Sequence, residues 1–316
     1  MLSVDERIII EVPQSGNKLR LEDFLLDRFP NLSKMYLRDV VKRDLCEVNG
    51  TPENIGRRLR PNDLIEVVLD PTRETAMLPA NIPLDIVFED EHLIVVNKPA
   101  GMLVHPSHRE NNGTLLNALA YYLNDPDSPQ RRGDGEKNTL ADSSIPKNRD
   151  TRLSVVRPGL IHRLDKQTSG LIVVAKNARA HRLLSGHFMK KRVEKRYFAL
   201  VDGVVEPDEG TIEAPIGRYD ELKYWSVKED GKHSESRFWV RERYVDTTLI
   251  EMEPVTGRTN QLRIHCEMIG HPIVGDVRRG GREFERLCLH AYRLVFPHPE
   301  TNATAEFEVK APTEFL

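Results

Sequence analysis

The segment with the clearest chemical potential is residues 162–170, with the sequence HRLDKQTSG. Its acid, Asp165, follows Arg163 by two positions and precedes the apolar run 170–175. That run is rich in β-branched residues and is followed by Lys-Asn, which predicts a buried strand. An aspartate at the mouth of a buried strand, beside an arginine, forms either a structural ion pair or a reactive group. A lone aspartate is usually a cap or a surface charge, so the rest of the chain must decide.

The size and charge of the chain limit the function classes. It has 316 residues, of which 30% are charged and 39% hydrophobic, a composition that predicts a soluble globular protein. Two domains are expected at this length. The net charge is only −3, from 46 Lys+Arg against 49 Asp+Glu. A polyanionic partner would therefore have to be bound by local basic clusters.

Cysteine spacing and the amino-terminal residues indicate the environment of the protein. Cys46, Cys266 and Cys288 form no C-x-x-C pair, which argues against a disulfide scaffold. Zinc binding by Cys266 and Cys288 together with His265 and His290 is conceivable, but isolated core cysteines are favoured. Residues 1–6 lack the layout of a signal peptide, and no apolar stretch approaches membrane-spanning length. We expect a cytoplasmic protein without a membrane partner.

Residues 1–75 predict a small α/β module. The pattern indicates a strand at 7–12, two helices, of which the second is capped by Ser33, and strands at 46–48 and 64–69. Asn49-Gly50 predicts a tight turn between strands. Segments 20–25 (RLEDFL), 33–38 (SKMYLR), 48–50 (VNG) and 59–65 (LRPNDLI) resemble the S-four-like RNA-binding domain. That resemblance implies RNA contact from the second helix, with Arg38 as the candidate residue.

Residues 76–316 predict a larger α+β domain that follows a proline-containing linker at 71–83. Strands are expected at 84–88 and 93–97, with a strand-ending turn at 98–101 (KPAG) and a helix through Leu115 and Leu123. Residues 124–157 are polar and contain three prolines, so we expect a flexible insertion there. A further helix is predicted across 258–269, ended by Gly270.

Four segments together resemble the RluA-type pseudouridine synthases: 98–101 (KPAG), 162–170, 195–197 (KRY) and 256–265 (TGRTNQLRIH). The similarity spans nearly the whole chain. It implies isomerisation of uridine in RNA to pseudouridine, without a metal or a cofactor. It also implies a mixed, mainly antiparallel central sheet flanked by helices, with the site in a central cleft.

The resemblance implies three catalytic residues. Asp165 matches the catalytic aspartate, whose carboxylate attacks either ribose carbon 1′ or uracil carbon 6. Arg263 matches the arginine that pairs with this aspartate and keeps it ionised. Tyr197 matches the tyrosine that stacks on the uracil and is a candidate for removing the proton from carbon 5.

Several basic residues are predicted to bind the substrate. Arg163 is expected to fill the place of a uridine that has left its stack. The cluster at 190–196 predicts phosphate contacts, carried by Lys190, Lys191, Arg192 and Lys195. Further candidates for phosphate binding are Arg57, Arg58, Arg60, Arg278, Arg279 and Arg282.

The 256–265 segment adds two residues with other roles. Arg258 is expected to order its own loop. Asn260 replaces a histidine that is common in the family, which excludes a proton-transfer role at that position.

Other predictions concern partners and competing functions. The amino-terminal module favours ribosomal RNA as the substrate, with transfer RNA as the alternative, and we expect a monomer. A second hypothesis is an RNA-binding or ribosome assembly factor that has lost catalysis. A third is a carbohydrate-active enzyme, which would require a second catalytic acid for which the sequence offers no matching motif.

Overall fold

The structure is a computed structural model that describes residues 5–29, 32–71, 78–107, 110, 112–124, 158–221 and 223–315. The chain forms two compact units. One comprises the described residues within 1–80 and 106–112, and the other comprises those within 81–105, 113–130 and 156–316. Apart from Asn124, the predicted insertion at 124–157 lies outside the described residues.

The smaller unit is a four-stranded sheet with two helices. In chain order its elements are β1 (Glu6–Glu11), α1 (Leu21–Arg28), α2 (Lys34–Lys42), β2 (Cys46–Val48), β3 (Thr51–Pro52) and β4 (Leu64–Leu69). The strand order is β1-β4-β2-β3, and every pair is antiparallel. Its own hydrophobic core includes Leu25 and Leu37 from the helices and Ile65 and Val67 from β4.

Local sequence signals explain how the smaller unit begins and ends its elements. The Ser33 hydroxyl accepts a hydrogen bond from the Tyr36 N–H at 3.1 Å, so the predicted helix cap is confirmed. Asn49 and Gly50 adopt φ values of 53° and 76° between β2 and β3. Both are left-handed, as a two-residue hairpin turn of this type requires.

The larger unit is built around an 11-stranded sheet. Its strands are β5 (Ile86–Glu89), β6 (Leu93–Lys98), β7 (Gly159–Leu160), β8 (Ser169–Ala175), β9 (Glu194–Asp202), β10 (Glu209–Tyr219), β11 (Tyr224–Val227), β12 (Lys232–Arg243), β13 (Thr247–Pro254), β14 (Leu289–Pro297) and β15 (Thr304–Glu308). Its helices are α3 (Leu115–Asn124), α4 (Ala178–Met189) and α5 (Gln261–Met268). The main strand order is β11-β10-β12-β13-β9-β14-β8-β6-β5.

The strand β8 lies inside this sheet, between β14 and β6. All seven residues of β8 are buried, which confirms the predicted buried strand. The pairing of β8 with β14 is parallel, whereas the other named pairs of the sheet are antiparallel. The predicted mixed, mainly antiparallel sheet is therefore confirmed, and the loop that carries Asp165 enters the sheet through a fully buried strand.

Gly170 lets β8 approach β14 closely. It has a φ of +111°, a conformation that L side chains rarely adopt. A Cβ at this position would lie 2.2 Å from the carbonyl oxygen of Ala291, its partner on β14. The glycine that ends the 162–170 segment is therefore required by the parallel strand pair.

Gly170→Ala is expected to lower the free energy of unfolding by at least about 2 kcal/mol, because it combines backbone strain with a clash in the sheet. Gly186→Ala in α4 is the matched control, since nothing lies within 4 Å of its Cβ position. There a gain of about 0.5–1 kcal/mol is expected from helix propensity. Urea unfolding followed by circular dichroism measures both. Equal stability of the two variants would contradict the close approach of β8 and β14 as the reason for this glycine.

Candidate active site

A cleft of about 590 Å³ brings together residues from three parts of the larger unit. The segment before β8 contributes Asp165, the start of β9 contributes Tyr197, and the loop before α5 together with α5 contributes Arg258 and Arg263. The sequence predicts these residues as site residues from segments that are far apart in the chain. The sheet order explains their meeting, because β14 lies between β8 and β9 and β13 lies next to β9.

The carboxylate of Asp165 lies in a turn directly before β8. The Thr168 N–H donates to the Asp165 carbonyl oxygen at 3.2 Å, and the neighbouring Leu164 is buried in the core. Burial raises the pKa of Asp165 above its ordinary value, while Arg263, Arg163, Lys98 and Arg279 oppose the rise. The site therefore needs its cations to keep this carboxylate ionised.

Arg263, the predicted partner of Asp165, lies closer to a second carboxylate, that of Asp276. Its Nη1 lies 3.8 Å from Oδ2 of Asp165, which is an ion pair without a hydrogen bond. Its Nε and Nη2 donate to the two carboxylate oxygens of Asp276 at 2.6 and 2.8 Å. The bidentate pair aims the remaining nitrogen of the guanidinium toward Asp165. Asp276 was not identified from the sequence, because a single aspartate outside the motifs carries no signal.

Asp276 is itself held by a second buried arginine. The Arg279 side chain is 1% exposed, and its Nε lies 3.9 Å from Oδ2 of Asp276. Arg279 also donates to Glu267 of α5 and, at 2.8 Å, to the carbonyl oxygen of Trp225. The charges of Asp165, Arg263, Asp276 and Arg279 therefore alternate along one network. The prediction that Arg279 binds phosphate is wrong, because its guanidinium is buried in this network.

Tyr197 lies deep in the cleft at the start of β9. It is 8% exposed and packs in the main hydrophobic core. Burial, and then the negative charge of Asp165, raise the pKa of Tyr197. The phenol is consequently protonated at neutral pH. It can present an aromatic face and donate a hydrogen bond, but a phenolate base is strongly disfavoured.

Lys98 is a contributor that the sequence interpretation missed, since residues 98–101 predict only a turn. Its side chain is fully buried, and its ammonium donates to the carbonyl oxygens of Pro99, Met102 and Lys166 at 2.8, 2.9 and 3.2 Å. Burial lowers the pKa of Lys98 to about 8, against the attraction of Asp165. The bond to Lys166 ties the residue after Asp165 to the end of β6. A lysine two positions after the apolar run 93–96 was the signal available in the sequence.

His162 supports the same segment from the other side. Its Nε2 accepts a hydrogen bond from the Val173 N–H at 3.1 Å, and its ring stacks on Phe188 at 4.8 Å. Burial, followed by the charge of Lys195, lowers the pKa of His162 to about 3, so the ring is neutral. The ring therefore serves as a local scaffold for the segment that carries Asp165.

The basic residues of the 190–196 cluster occupy different places. Lys191 and Lys195 line the cleft, whereas Lys190 and Arg192 are exposed beyond its lining. Burial lowers the pKa of Lys195, so it lies inside the site and is a poor candidate for a simple surface phosphate contact. Arg163 is exposed and lines the cleft beside Asp165.

The loop before α5 is organised by Gln261. Its side-chain oxygen accepts from the Arg258 N–H at 2.9 Å and from the Thr256 hydroxyl at 2.6 Å. Asn260 has a φ of 55°, a left-handed conformation that asparagine tolerates well. Its side-chain oxygen accepts from Nη1 of Arg263 at 3.3 Å. Asn260 thus helps to orient Arg263.

Metal binding and membrane spanning are two further properties that the described residues address. Within the ranges that the structure describes, no group of three or more His, Cys, Asp or Glu side chains is placed to hold a metal ion. Cys266 and Cys288 are buried with free thiols. The described helices also include none of the length and hydropathy that crossing a membrane would need.

The cleft combines a partly buried carboxylate, an aromatic ring and a basic rim, features that suit an anionic substrate. The family model of RNA pseudouridylate synthase matches residues 92–268, which is more than half of the chain and includes Asp165, Tyr197 and Arg263. The chain therefore belongs to the RNA pseudouridylate synthase family and is an isomerase that forms pseudouridine in RNA. The predicted RluA-type relationship is confirmed.

Full-length relatives and a solved structure agree with this assignment. The chain is 36% identical over 323 residues to an uncharacterised RNA pseudouridine synthase of Aquifex aeolicus, covering 97% of this chain and 95% of the relative. It is 35% identical over 329 residues to ribosomal large subunit pseudouridine synthase D of Pseudomonas aeruginosa, covering 97% and 92%. The structure of human RNA pseudouridylate synthase domain containing 1 is similar with a TM-score of 0.56 and 26% identity, covering 76% of this chain and 86% of that one.

Asp276→Asn tests the buried ion pair that orients Arg263. It is expected to cost about 3–5 kcal/mol of unfolding free energy, because Arg263 and Arg279 would lose their shared counter-charge. Asp246→Asn is the matched control, since Asp246 pairs with Arg282 at 2.8 Å but is 67% exposed. That change should cost less than about 1 kcal/mol. If urea unfolding gave equal losses for both variants, Asp276 would not hold the network together.

Proposed function

We propose that the protein converts uridine of large-subunit ribosomal RNA to pseudouridine in the cytoplasm. The observation that carries the proposal is the meeting of Asp165, Tyr197 and Arg263 in one cleft within the matched family region. The name of the Pseudomonas aeruginosa relative supports the choice of RNA, since it assigns that protein to the large ribosomal subunit. We further propose that the enzyme acts as a monomer.

Asp165 serves as the nucleophile in this proposal. Its carboxylate oxygen bonds to ribose carbon 1′ or to uracil carbon 6, and the bond between N1 and carbon 1′ breaks. The uracil then turns, and its carbon 5 bonds to carbon 1′ while the Asp165 bond is released. The carbon 5 proton is lost and N1 gains one, so the overall change is an isomerisation. Arg263 favours the ionised carboxylate before attack and its return at the end.

Tyr197 gives the detached uracil a flat surface in a partly water-excluded site. Its buried ring can stack on the base, and its raised pKa keeps the hydroxyl as a donor. Removal of the carbon 5 proton then requires another acceptor. Lys195 lines the same cleft and is the proposed acceptor, for which it must first release its own proton.

The outer residues of the cleft fit an RNA strand. Arg163 is exposed beside Asp165, where its guanidinium can enter the space left by an everted uridine. Lys190, Lys191 and Arg192 form a basic rim for phosphates, with Lys191 at the cleft and the other two farther out.

The smaller unit is proposed to add affinity for RNA through α2. Arg38 lies on the outward face of α2 with its side chain 51% exposed, and it forms an ion pair with Glu22. Lys34 pairs with the same glutamate at 3.3 Å. The glutamate therefore orders two cations on one face, which supports a phosphate-binding surface in a chain whose net charge is nearly neutral.

The catalytic proposal is tested by incubating the protein with ribosomal RNA and transfer RNA from a strain that lacks it, and mapping pseudouridine. We expect product in large-subunit ribosomal RNA from the wild-type protein and none from Asp165→Asn, which should still bind the RNA. Asp208→Asn is the control, because Asp208 is 88% exposed and outside the cleft. Product in transfer RNA alone would overturn the choice of substrate. Binding without product on any RNA would instead support an assembly factor.

The role of α2 is tested by Arg38→Gln, which leaves Lys34 to balance Glu22. The slope of log affinity against log salt should become shallower by about 0.7–0.9, because the variant binds one phosphate fewer. Arg7→Gln is the matched control, because Arg7 also pairs with a glutamate of the same unit, Glu66. An unchanged slope in Arg38→Gln would show that Arg38 binds no phosphate.

A further inference from the structure

A second cleft of about 380 Å³ adjoins the active-site cleft. It is formed by the facing ends of β10 and β11, the turn at 228–231 that leads into β12, and the loop at 257–259. Gly257, Arg258 and Thr259 line both clefts. A strand that leaves the active site along this loop would therefore enter the second cleft.

A glycine gives the second cleft a fixed wall. A Cβ on Gly231 would lie 2.6 Å from the carbonyl carbon of Ile216, so only glycine allows the turn to pack against β10. The Lys228 N–H donates to the Pro215 carbonyl oxygen at 2.9 Å, and the Gly231 N–H donates to the Lys228 carbonyl oxygen at 2.8 Å. These contacts indicate that the cleft is formed before any ligand arrives.

Trp225 presents an aromatic ring to this cleft. It is one of two tryptophans in the chain, and its carbonyl oxygen accepts from Nη2 of the buried Arg279 at 2.8 Å. The ring of its neighbour Tyr224 is covered by the guanidinium of Arg279 at 4.8 Å. In the described parts of the chain, no aromatic ring or cation stacks on the Trp225 indole. The Trp225 indole is thus available to a ligand.

The charges around Trp225 favour an anion. Four basic residues and one acid line the cleft: Arg218, Lys228, Lys232, Arg258 and Asp230. Lys228 pairs with Asp230 at 3.0 Å, and Arg218 lies 3.6 Å from Asp220. Among the described residues, Lys232 and Arg258 have no acidic partner within ion-pair distance, and both are exposed. Two cations remain for a ligand.

Arg258 lies at the border between the clefts. Its Nε donates to the His233 carbonyl oxygen at 3.0 Å, which fixes the plane of the guanidinium. Within the part of the chain that the structure describes, its two Nη groups have no hydrogen-bond or ion-pair partner. If two adjacent nucleosides of an RNA strand occupied the two clefts, the phosphate that links them would lie at this border, beside Arg258. Arginine suits this role because its fork can donate two hydrogen bonds to one phosphate.

We propose that the second cleft binds the unpaired nucleotide next to the target uridine, with its base stacked on Trp225. Arg258 binds the phosphate that links this nucleotide to the uridine, and Lys232 binds the phosphate beyond it. Aromatic stacking of splayed-out bases is how proteins commonly bind single-stranded RNA. This inference rests on the proposed function, since it requires the uridine to lie at Asp165.

The inference is tested with an RNA fragment on which the wild-type protein forms pseudouridine, and with two copies of it that are abasic immediately 5′ or 3′ of the uridine. Trp225→Ala should raise KM for the intact fragment by roughly tenfold or more and leave kcat nearly unchanged, whereas Trp225→Phe should retain most of the affinity. Of the two abasic RNAs, the one that lacks the base bound at Trp225 should bind the wild-type protein more weakly than the intact fragment, by a similar factor. For Trp225→Ala, this abasic RNA and the intact fragment should bind with equal affinity.

Phe284→Ala is the matched control, since Phe284 is 42% exposed and lines neither cleft. It should leave KM unchanged. The inference is overturned if Trp225→Ala binds the intact fragment as well as wild type does. It is equally overturned if both abasic copies weaken Trp225→Ala as much as they weaken wild type, or if kcat falls while KM does not.

A binding measurement keeps the inference testable if no RNA yields pseudouridine. In Trp239→Phe, Trp225 is the only tryptophan, and pentauridylate should quench its fluorescence. Uridine monophosphate should quench it at much higher concentration, because it cannot span both clefts. Failure of catalysis with preserved quenching would reject the proposed function alone. Absence of quenching by pentauridylate, or equal quenching by the monophosphate, would reject binding of a strand at Trp225.

Discussion

The central physical constraint in this protein is the charge of Asp165. Removing a carboxylate from water carries a desolvation cost, and the pKa of Asp165 accordingly lies above the ordinary value. Four cations oppose that shift, and one of them, Arg263, approaches Asp165 to 3.8 Å without a hydrogen bond. The carboxylate therefore remains free to react while its negative charge is still stabilised. A shorter bidentate pair would stabilise the charge more strongly but would occupy both oxygens.

The position of Arg263 depends in turn on residues behind it in the fold. Asp276 holds two of its nitrogens, Asn260 accepts from the third, and Arg279 balances Asp276 from behind. Arg279 also reaches Glu267 and the Trp225 carbonyl oxygen. One buried network thus links the Asp165 carboxylate to α5 and to the hairpin that carries the second cleft. Its members are mutually dependent, because each buried charge needs the next one.

The segment that carries Asp165 is also fixed in place by contacts with the sheet. Lys98 ties it to the end of β6, and His162 ties it to β8 through the Val173 N–H. Gly170 then allows β8 to lie against β14, where any side chain would meet the Ala291 backbone. The sequence of residues 162–170 therefore serves two purposes. Some of these residues line the cleft, and others allow β8 and β14 to form a buried parallel pair.

The sequence by itself determined the local elements and the family. A continuous apolar, β-branched run predicted the buried β8, a helix cap predicted α2 at Ser33, and the motifs placed Asp165, Tyr197 and Arg263 in one family pattern. These features depend on neighbouring residues or on a distinctive order of residues. The family also implied the mainly antiparallel sheet, which no single strand pattern could have predicted.

Tertiary structure alone decided which charges meet. Asp276 and Arg279 lie outside every motif, and residues 98–101 predicted only a turn. Only folding shows that Lys98 and Arg279 act on the charge of Asp165 and that Asp276 holds Arg263. The same is true of burial, which separates the buried Arg279 from the exposed Arg258 although both are arginines in loop-rich segments. Ion pairs and desolvation are properties of distance and solvent exposure in space. A residue's neighbours in the chain determine neither of them.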